Sequence, residues 1–415
     1  MHLEEVFKSL KIEDSYFDAI AYGWLRSMND FPAEIPDFLI LENIRDNFSF
    51  SALQPEMLPL LEEMATRVCA NDTLLRLAWH AHRKLTIYEN SVFREWPDLD
   101  LQLESQGGMF YLLIECSIIS LIRDKYREIN IPEQYLVCCE RIAGYAATYT
   151  TGYGKLGINR NQVSWPRHYL NATTFRIGRF EYMITDASNY NAQVFRHRKT
   201  GKVLAVPSPQ TRFFNHDGYT LFPDEKNESA AFSGSFIRSG NTMQAVPFDP
   251  RGFAVNEIMT IDEAEWEQVI APHHKVLGLH IPEGGKMTLD ACRESFAAAF
   301  EFFHKYFPEL DIRSIFCSSW IFYPYYEQVM PDSNLAKFMR ELYLFPYGSS
   351  SGNDGVYFIF GRHDGDYKDY PRDNSVRRAM LDVLQNGGKL RSGSMFFLEE
   401  DMAHFGQQPY RSNLS

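Results

Sequence analysis

HHKVLGLHIPEGGKMTLDACRESFAAAFEFFHKYF, residues 273–307, reads as a strand, a loop and a long helix. In an extended chain alternate side chains point to opposite faces. Val276, Gly278 and His280 then share one face, and Leu277, Leu279 and Ile281 the other. EGGKM forms the loop, and Thr288 is placed to cap the helix. Leu289, Cys292, Phe296, Ala299, Phe300, Phe303 and Phe307 recur at helical spacing and mark its buried stripe. IRSIFCSSWIF (312–322) is the next strand, and a helix runs from about Ser333 to Tyr343. GVYFIF (355–360) reads as a third strand, SVRRAMLDVLQNG (375–387) as a helix and SMFFLE (394–399) as a final strand. Strands alternating with helices imply a mixed α/β sheet with covered faces.

Upstream, DEAEWEQVI (262–270) reads as one short helix, and FRIGRFEYMI (175–184) as one strand. QVFRHR, KTGK and VLAVP (193–207) form a hairpin with Gly201 in its turn. Residues 208–250 are rich in Gly, Ser, Asn and Pro, with short strands expected near Tyr219–Phe222 and Met243–Val246. TGYGKLG (151–157) is a junction and lacks the GxGxxG order of a nucleotide loop. Before it, apolar residues recur at helical spacing, as in Phe110, Leu113, Ile114, Ile118, Leu121 and Ile122. About five to seven helices are expected there, broken at Pro32 and Pro36, with Pro132 in the first turn of the last. His80 and His82 lie two apart and do not share a helical face. The predicted class is α+β: a helical N-terminal domain (1–150), then a strand-rich middle part (151–270) and an α/β core (271–415).

Composition narrows the function classes. Apolar residues make up 45% of the 415, enough for a large core without metal or disulfide. The formal charge of −13, with no long basic patch, argues against nucleic acid as a partner. Six cysteines with no repeated CxxC pair argue against a structural metal or iron–sulfur site. The acidic start MHLEEVFKSL has no signal-peptide core, and no window approaches a membrane span, so a cytoplasmic location and no membrane partner are expected. Oligomeric state is left open. GSSSG (348–352) matches GxSxG out of its strand-to-helix context. HDGDYKDYPRD (363–373) lacks the glycine and glutamate of a calcium loop.

The turn after HIP has its own chemistry. A helix N-terminus carries unpaired amides and a partial positive charge. Gly284 and Gly285 let a phosphate approach the backbone, and Lys286 adds a point charge, while Asp290 opposes an anion unless it points away. A plain strand-to-helix turn is the alternative. His280 ends its strand beside a glycine on the less apolar face, where an imidazole can take a proton or bond a neighbouring loop. In FCSSW, Cys317 and Ser319 share one face, and Phe316, Ser318 and Trp320 the other. Ser318 or Ser319 can donate to a thioester, and Cys317 is an acyl carrier or a small buried hydrophobe. Asp332 or Ser333 caps the next helix, with Asn334 in its first turn.

The run VLGLHIPEGGKMTLDACRESFAAAFEFFHKYFPE, with FCSSWIFYP and MPDSNLAKFMREL, resembles the C-terminal domain of GNAT-like acyltransferases. WPRHYLNATTFRIGRFEYMI and DEAEWEQVIAPHHKVLGLHIP continue the resemblance, and residues 1–150 resemble the family's helical N-acyltransferase N-terminal domain. The resemblance implies a splayed mixed sheet and acetyl-CoA or a longer acyl-CoA as cosubstrate. It implies an N-acyltransferase acting on a small-molecule amine. On that basis His280 and Ser319 are the catalytic candidates, and Ile281, Gly284, Gly285, Lys286, Met287, Thr288 and Asn334 the cofactor-binding ones. The family loop usually carries a Gln or Arg with several glycines, and its FCSSW-like segment often has His and Asp where this chain has Ser318 and Tyr323. Those departures keep a second implication open, a non-catalytic protein binding acyl-CoA or a small molecule. A protein-binding structural unit is the third.

Overall fold

A computed structural model describes residues 1–88, 93–214, 216–221, 231–347, 352–362 and 365–412. The chain divides into two compact units, residues 1–176 with 282–284 and residues 177–281 with 285–415. A helical N-terminal domain precedes a mixed α/β domain, as the sequence predicts.

The first unit is all helical up to residue 170, but more finely divided than the spacing suggests. Ten α-helices lie between Leu3 and Leu170 among the described residues. The extra ones are short, such as Phe17–Ala21 and Trp24–Asn29, separated by Gly23 in a left-handed conformation (φ +83°). Met57–Cys69 and Asp72–Thr86 form the expected pair, and Asn71 Oδ1 accepts the amides of Thr73 and Leu74 at the start of the second. Gly107–Cys116 is buried at every residue, which explains its lack of a polar face. Pro132 opens a 3-10 stretch, Glu133–Glu140, and the α-helix starts only at Arg141.

In the second unit, strands β1 (Phe180–Asp186), β2 (Lys275–His280), β3 (Ser314–Ser319), β4 (Tyr343–Pro346) and β5 (Gly393–Leu398) share one sheet. Their order is β1-β2-β3-β5-β4. Only β2 and β3 run parallel; the other neighbours are antiparallel. Helices α1 (Leu289–Tyr306), α2 (Asn334–Glu341) and α3 (Asp354–Phe360) connect them.

Helix α1 covers the face of β1 that carries Phe180 and Tyr182. Tyr182 and Ser295 hydroxyls lie 2.8 Å apart, and the Phe296 ring meets Phe180, Tyr182 and Phe397. Burying Phe296, Phe300 and Phe303 stabilises this layer by roughly 1.5–3 kcal/mol each. Thr288 caps α1 as expected, its hydroxyl oxygen accepting the Ala291 amide at 3.3 Å. Thr288→Ala is expected to cost about 1 kcal/mol, read as a lower denaturation midpoint at unchanged slope.

Three local readings change. FRIGRFEYMI is two strands, Thr174–Ile177 and β1, broken by a turn at Gly178 (φ +59°) and Arg179. Both of its alternating faces mix apolar and charged residues, so alternation alone cannot reveal the turn. DEAEWEQVI is a turn followed by the strand Trp266–Ile270, which pairs with Ala192–His197. Asp262 Oδ1 accepts the Ala264 amide and stops helical propagation, and Trp266 packs with Phe195, Leu204, Val206 and Ile261. GVYFIF lies in α3 and not in the sheet; the edge position is held by β4. A short apolar run fits either period, and here Gly355 seats Trp320, whose ring lies 2.5 Å from where a Cβ would stand.

The hairpin at Ala192–His197 and Val203–Pro207 turns at Gly201 (φ +71°), and Thr242–Ala245 is a strand. Tyr219–Leu221 form no strand, only a single bridge between Thr220 and Phe213, while Phe222, residues 348–351 of GSSSG, and His363 and Asp364 lie outside the described residues. No helix among the described residues is long and apolar enough to cross a membrane.

Candidate active site

The register of β1 against β2 assembles the first part of the site. Glu181 stands opposite His280, Met183 opposite Gly278 and Thr185 opposite Val276. Directly opposed residues have Cβ atoms about 5 Å apart on the same face. A buried carboxylate-bearing residue therefore neighbours the half-buried imidazole of His280. This is the face turned away from α1, because Tyr182 and Phe180, which meet α1, alternate with Glu181.

Tyr190 completes that face. A Cβ on Gly278 would lie 2.7 Å from the Tyr190 hydroxyl, so the glycine makes room for the phenol. The Tyr190 ring also stands 5.0 Å from that of Phe316, the residue paired with Gly278 across β2 and β3. Burial, helped by Cys317 and Tyr347, pushes the Tyr190 phenol up, so it keeps its proton. Burial likewise pushes the Cys317 thiol up, which removes the thiolate a covalent acyl carrier needs.

The sheet then opens. The parallel ladder between β2 and β3 pairs Leu277 with Ile315 and Gly278 with Phe316. Both strands continue, to His280 and Ser319, but form no further ladder pair with each other. On β3, Ser318 shares the Phe316 face, and its hydroxyl lies 2.7 Å from that of Ser394. Ser319 belongs to the other face with Cys317. Its hydroxyl oxygen accepts the Ile321 amide at 3.4 Å and caps the turn Trp320–Phe322. The structure therefore places His280 and Ser319 on opposite faces.

Past His280 the chain enters the loop Ile281–Thr288. Ile281 and Met287 are half-buried, and Gly284, Gly285, Lys286 and Thr288 are exposed. Gly284 and Gly285 both adopt left-handed backbone, at φ +76° and +65°, which no L side chain adopts readily. Nothing stands within 4 Å of the Gly284 Cβ position, whereas that of Gly285 lies 3.6 Å from Arg179 Cδ and Nε. The turn after Ile177 thus delivers a guanidinium to this loop. Thr288 takes the Ala291 amide, leaving those of Leu289 and Asp290 without an intrahelical acceptor. Asp290 points outward, its side chain 84% exposed and 3.8 Å from Arg293. Asn334 is exposed at the start of α2, whose Phe338 packs on Phe180 and Phe296, on the α1 side of the sheet.

Glu181, Tyr190 and Arg179 escape the sequence reading. Glu181 has a local signal, a carboxylate set among Phe180, Tyr182, Met183 and Ile184. Arg179 looks like a mid-strand residue until the turn is seen, and Tyr190 reaches Gly278 only through the tertiary fold. Among the described residues no group of three or more His, Cys, Asp or Glu side chains is placed to hold a metal ion.

A family model for the GNAT-like C-terminal domain matches residues 174–397. Among solved structures, an acyltransferase in complex with decanoyl-CoA and teicoplanin aligns at 18% identity and a TM-score of 0.63, covering 96% of this chain and 99% of its own. An acyltransferase mutant in complex with octanoyl-CoA gives the same identity, coverage and TM-score. A third structure, an acyltransferase in complex with decanoyl-CoA, has a TM-score of 0.62 at 18% identity and the same coverage. At that identity the likeness shows the fold. No curated protein matches the sequence. With a helical region ahead of a domain matched over more than half the chain, this protein belongs to the GNAT-like acyltransferase family.

Proposed function

We propose that the chain transfers an acyl group from acyl-CoA to the amine of a small acceptor. The observation that carries this is the end of the β2–β3 ladder at Gly278 and Phe316, with His280, Glu181 and Tyr190 on one face beside the opening. Acyltransferases of this fold hold octanoyl-CoA and decanoyl-CoA, which favours a longer acyl chain over acetyl. Arg179, Lys286 and the backbone of Ile281, Gly284, Gly285, Met287 and Thr288 receive the diphosphate arm of the cosubstrate.

The amine nitrogen attacks the thioester carbonyl, forming a carbon–nitrogen bond and a tetrahedral oxyanion. Collapse of that oxyanion breaks the carbon–sulfur bond. His280 takes the proton from the attacking nitrogen, and Glu181 orients the imidazole and stabilises its charged form. Tyr190, which retains its proton, donates to the departing sulfur. Ser319 and Asn334, on the α1 side of the sheet, take no chemical step in this scheme. A cytoplasmic site of action accompanies the proposal, since CoA thioesters are small intracellular metabolites.

A second reading, acyl-CoA binding without turnover, draws on Ser318 standing where the family segment often has His, its hydroxyl against that of Ser394. The test is calorimetry with acetyl-, octanoyl- and decanoyl-CoA, followed by free-thiol release in the presence of an amine panel. His280→Ala is expected to keep acyl-CoA binding and to lower amine-dependent release by about 10²-fold. Arg179→Ala is expected to weaken binding by about tenfold. Binding without release by the parent chain supports the second reading. Absence of acyl-CoA binding at about 1 mM overturns both.

A further inference from the structure

The helical unit contains a cleft of about 700 Å³ that the transfer scheme does not use. Its walls come from the segment around Pro36 and Phe38, the helix Leu41–Ser49, the helix Asp72–Thr86 and residues just after Cys116. That volume falls in the range of small-ligand sites. Asn47 lines it and is only 3% exposed, yet among the described residues its carboxamide has no hydrogen-bond partner. Neither of its side-chain polar atoms is sealed off. Buried polar groups are nearly always bonded, so whatever fills the cleft completes this one.

His82 adds a second polar group. Ser117 donates its only hydroxyl proton to the Ile114 carbonyl, so it accepts from His82 Nδ1 at 2.7 Å. That fixes the proton on Nδ1 and leaves Nε2 as an acceptor. Burial, with the Arg83 charge beside it, lowers the His82 pKa to about 3, so the ring stays neutral. The ring is stacked on Phe38 at 4.5 Å and 12°, and Trp79 follows at 5.9 Å.

The charge around the cleft is predominantly negative. Glu34, Asp37, Asp46 and Asp124 line it against a single lining base, Arg123. Arg123 pairs with Asp46 at 2.8 Å and Asp124 with Arg127 at 3.4 Å, which leaves Glu34 and Asp37 as the lining acids without an ion pair among the described residues. Asp37 is exposed, and among the described residues it forms no ion pair. The exposed side chains of Ile35 and Leu121 supply apolar surface beside these acceptors.

We infer that this cleft binds a small organic ammonium ion carrying a flat apolar body. The ammonium donates to the Asn47 oxygen, to His82 Nε2 and toward the Asp37 carboxylate. The body lies against Phe38, Ile35 and Leu121. Neutral and anionic bodies of the same shape lack the matching charge.

The test is calorimetric titration of the full chain, without acyl-CoA, using phenethylammonium. Phenylethanol and phenylpropionate are the neutral and anionic controls. Saturable binding near or below about 1 mM is expected, with each control at least about tenfold weaker. Asp37→Asn and Asn47→Leu are each expected to weaken phenethylammonium about tenfold, in chains whose circular dichroism matches the parent. Should Asn47→Leu misfold, the exposed Asp37→Asn change carries the comparison. No saturable binding, equal affinity for the three probes, or Asp37→Asn binding as tightly as the parent overturns the inference. Because no acyl-CoA is present, its failure leaves the transfer proposal standing.

Discussion

Gly393→Ala is expected to destabilise the protein by roughly 3 kcal/mol, the upper end of the usual cost of overpacking a tight site. Gly393 begins β5 and pairs with Ser319 on one side and Pro346 on the other. An added Cβ would lie 2.1 Å from the Phe322 carbonyl oxygen and 2.7 Å from its carbon. Those atoms are backbone, in a turn held by the Ser319 cap, so no side-chain rotation relieves the clash. The strand end or the turn must move, and β3 moves with it. A urea titration reads the loss as a lower midpoint at constant slope. An unchanged midpoint would mean that the turn yields freely and that the Ser319 cap does not hold it.

The second large effect concerns Glu115, buried in the helix Gly107–Cys116 with no hydrogen-bond partner for either carboxyl oxygen among the described residues. Burial raises its pKa well above the ordinary 4.5, and Arg141 works in the opposite direction. The folded chain thus holds a proton that the unfolded chain releases. Stability from this group is highest below the unfolded value, and falls as pH rises from there toward the raised folded value. Glu115→Met removes both the orphaned oxygens and the titration. It is expected to gain about 1–3 kcal/mol at neutral pH and to flatten that slope. Glu115→Gln flattens the slope while leaving polar atoms buried. Loss of stability in Glu115→Met would show instead that the carboxylate is charged and compensates Arg141.

The strand–loop–helix from Lys275 to Tyr306 was legible down to its Thr288 cap, because caps, apolar stripes and alternation are set by residues a few positions apart. The same holds for the hairpin around Gly201. GVYFIF and DEAEWEQVI misled for a related reason: short runs satisfy either period, and their choice was made by Trp320 in one case and by the core around Trp266 in the other. His280 was legible as a strand-end group on the less apolar face. Its neighbours were not, since Glu181 lies 99 positions upstream and Tyr190 reaches Gly278 only after the sheet forms.

Sequence alone therefore determined the α+β class, the helical N-terminal region and the strand-to-helix turn with its two glycines. Tertiary structure decided the β1–β2 register, the early end of the β2–β3 ladder, the separation of His280 from Ser319 and the arrival of Arg179 beside Gly285. Local patterns record preferences of neighbouring residues for backbone and solvent. Pairing across a sheet is selected by packing between distant segments, and no short window contains it.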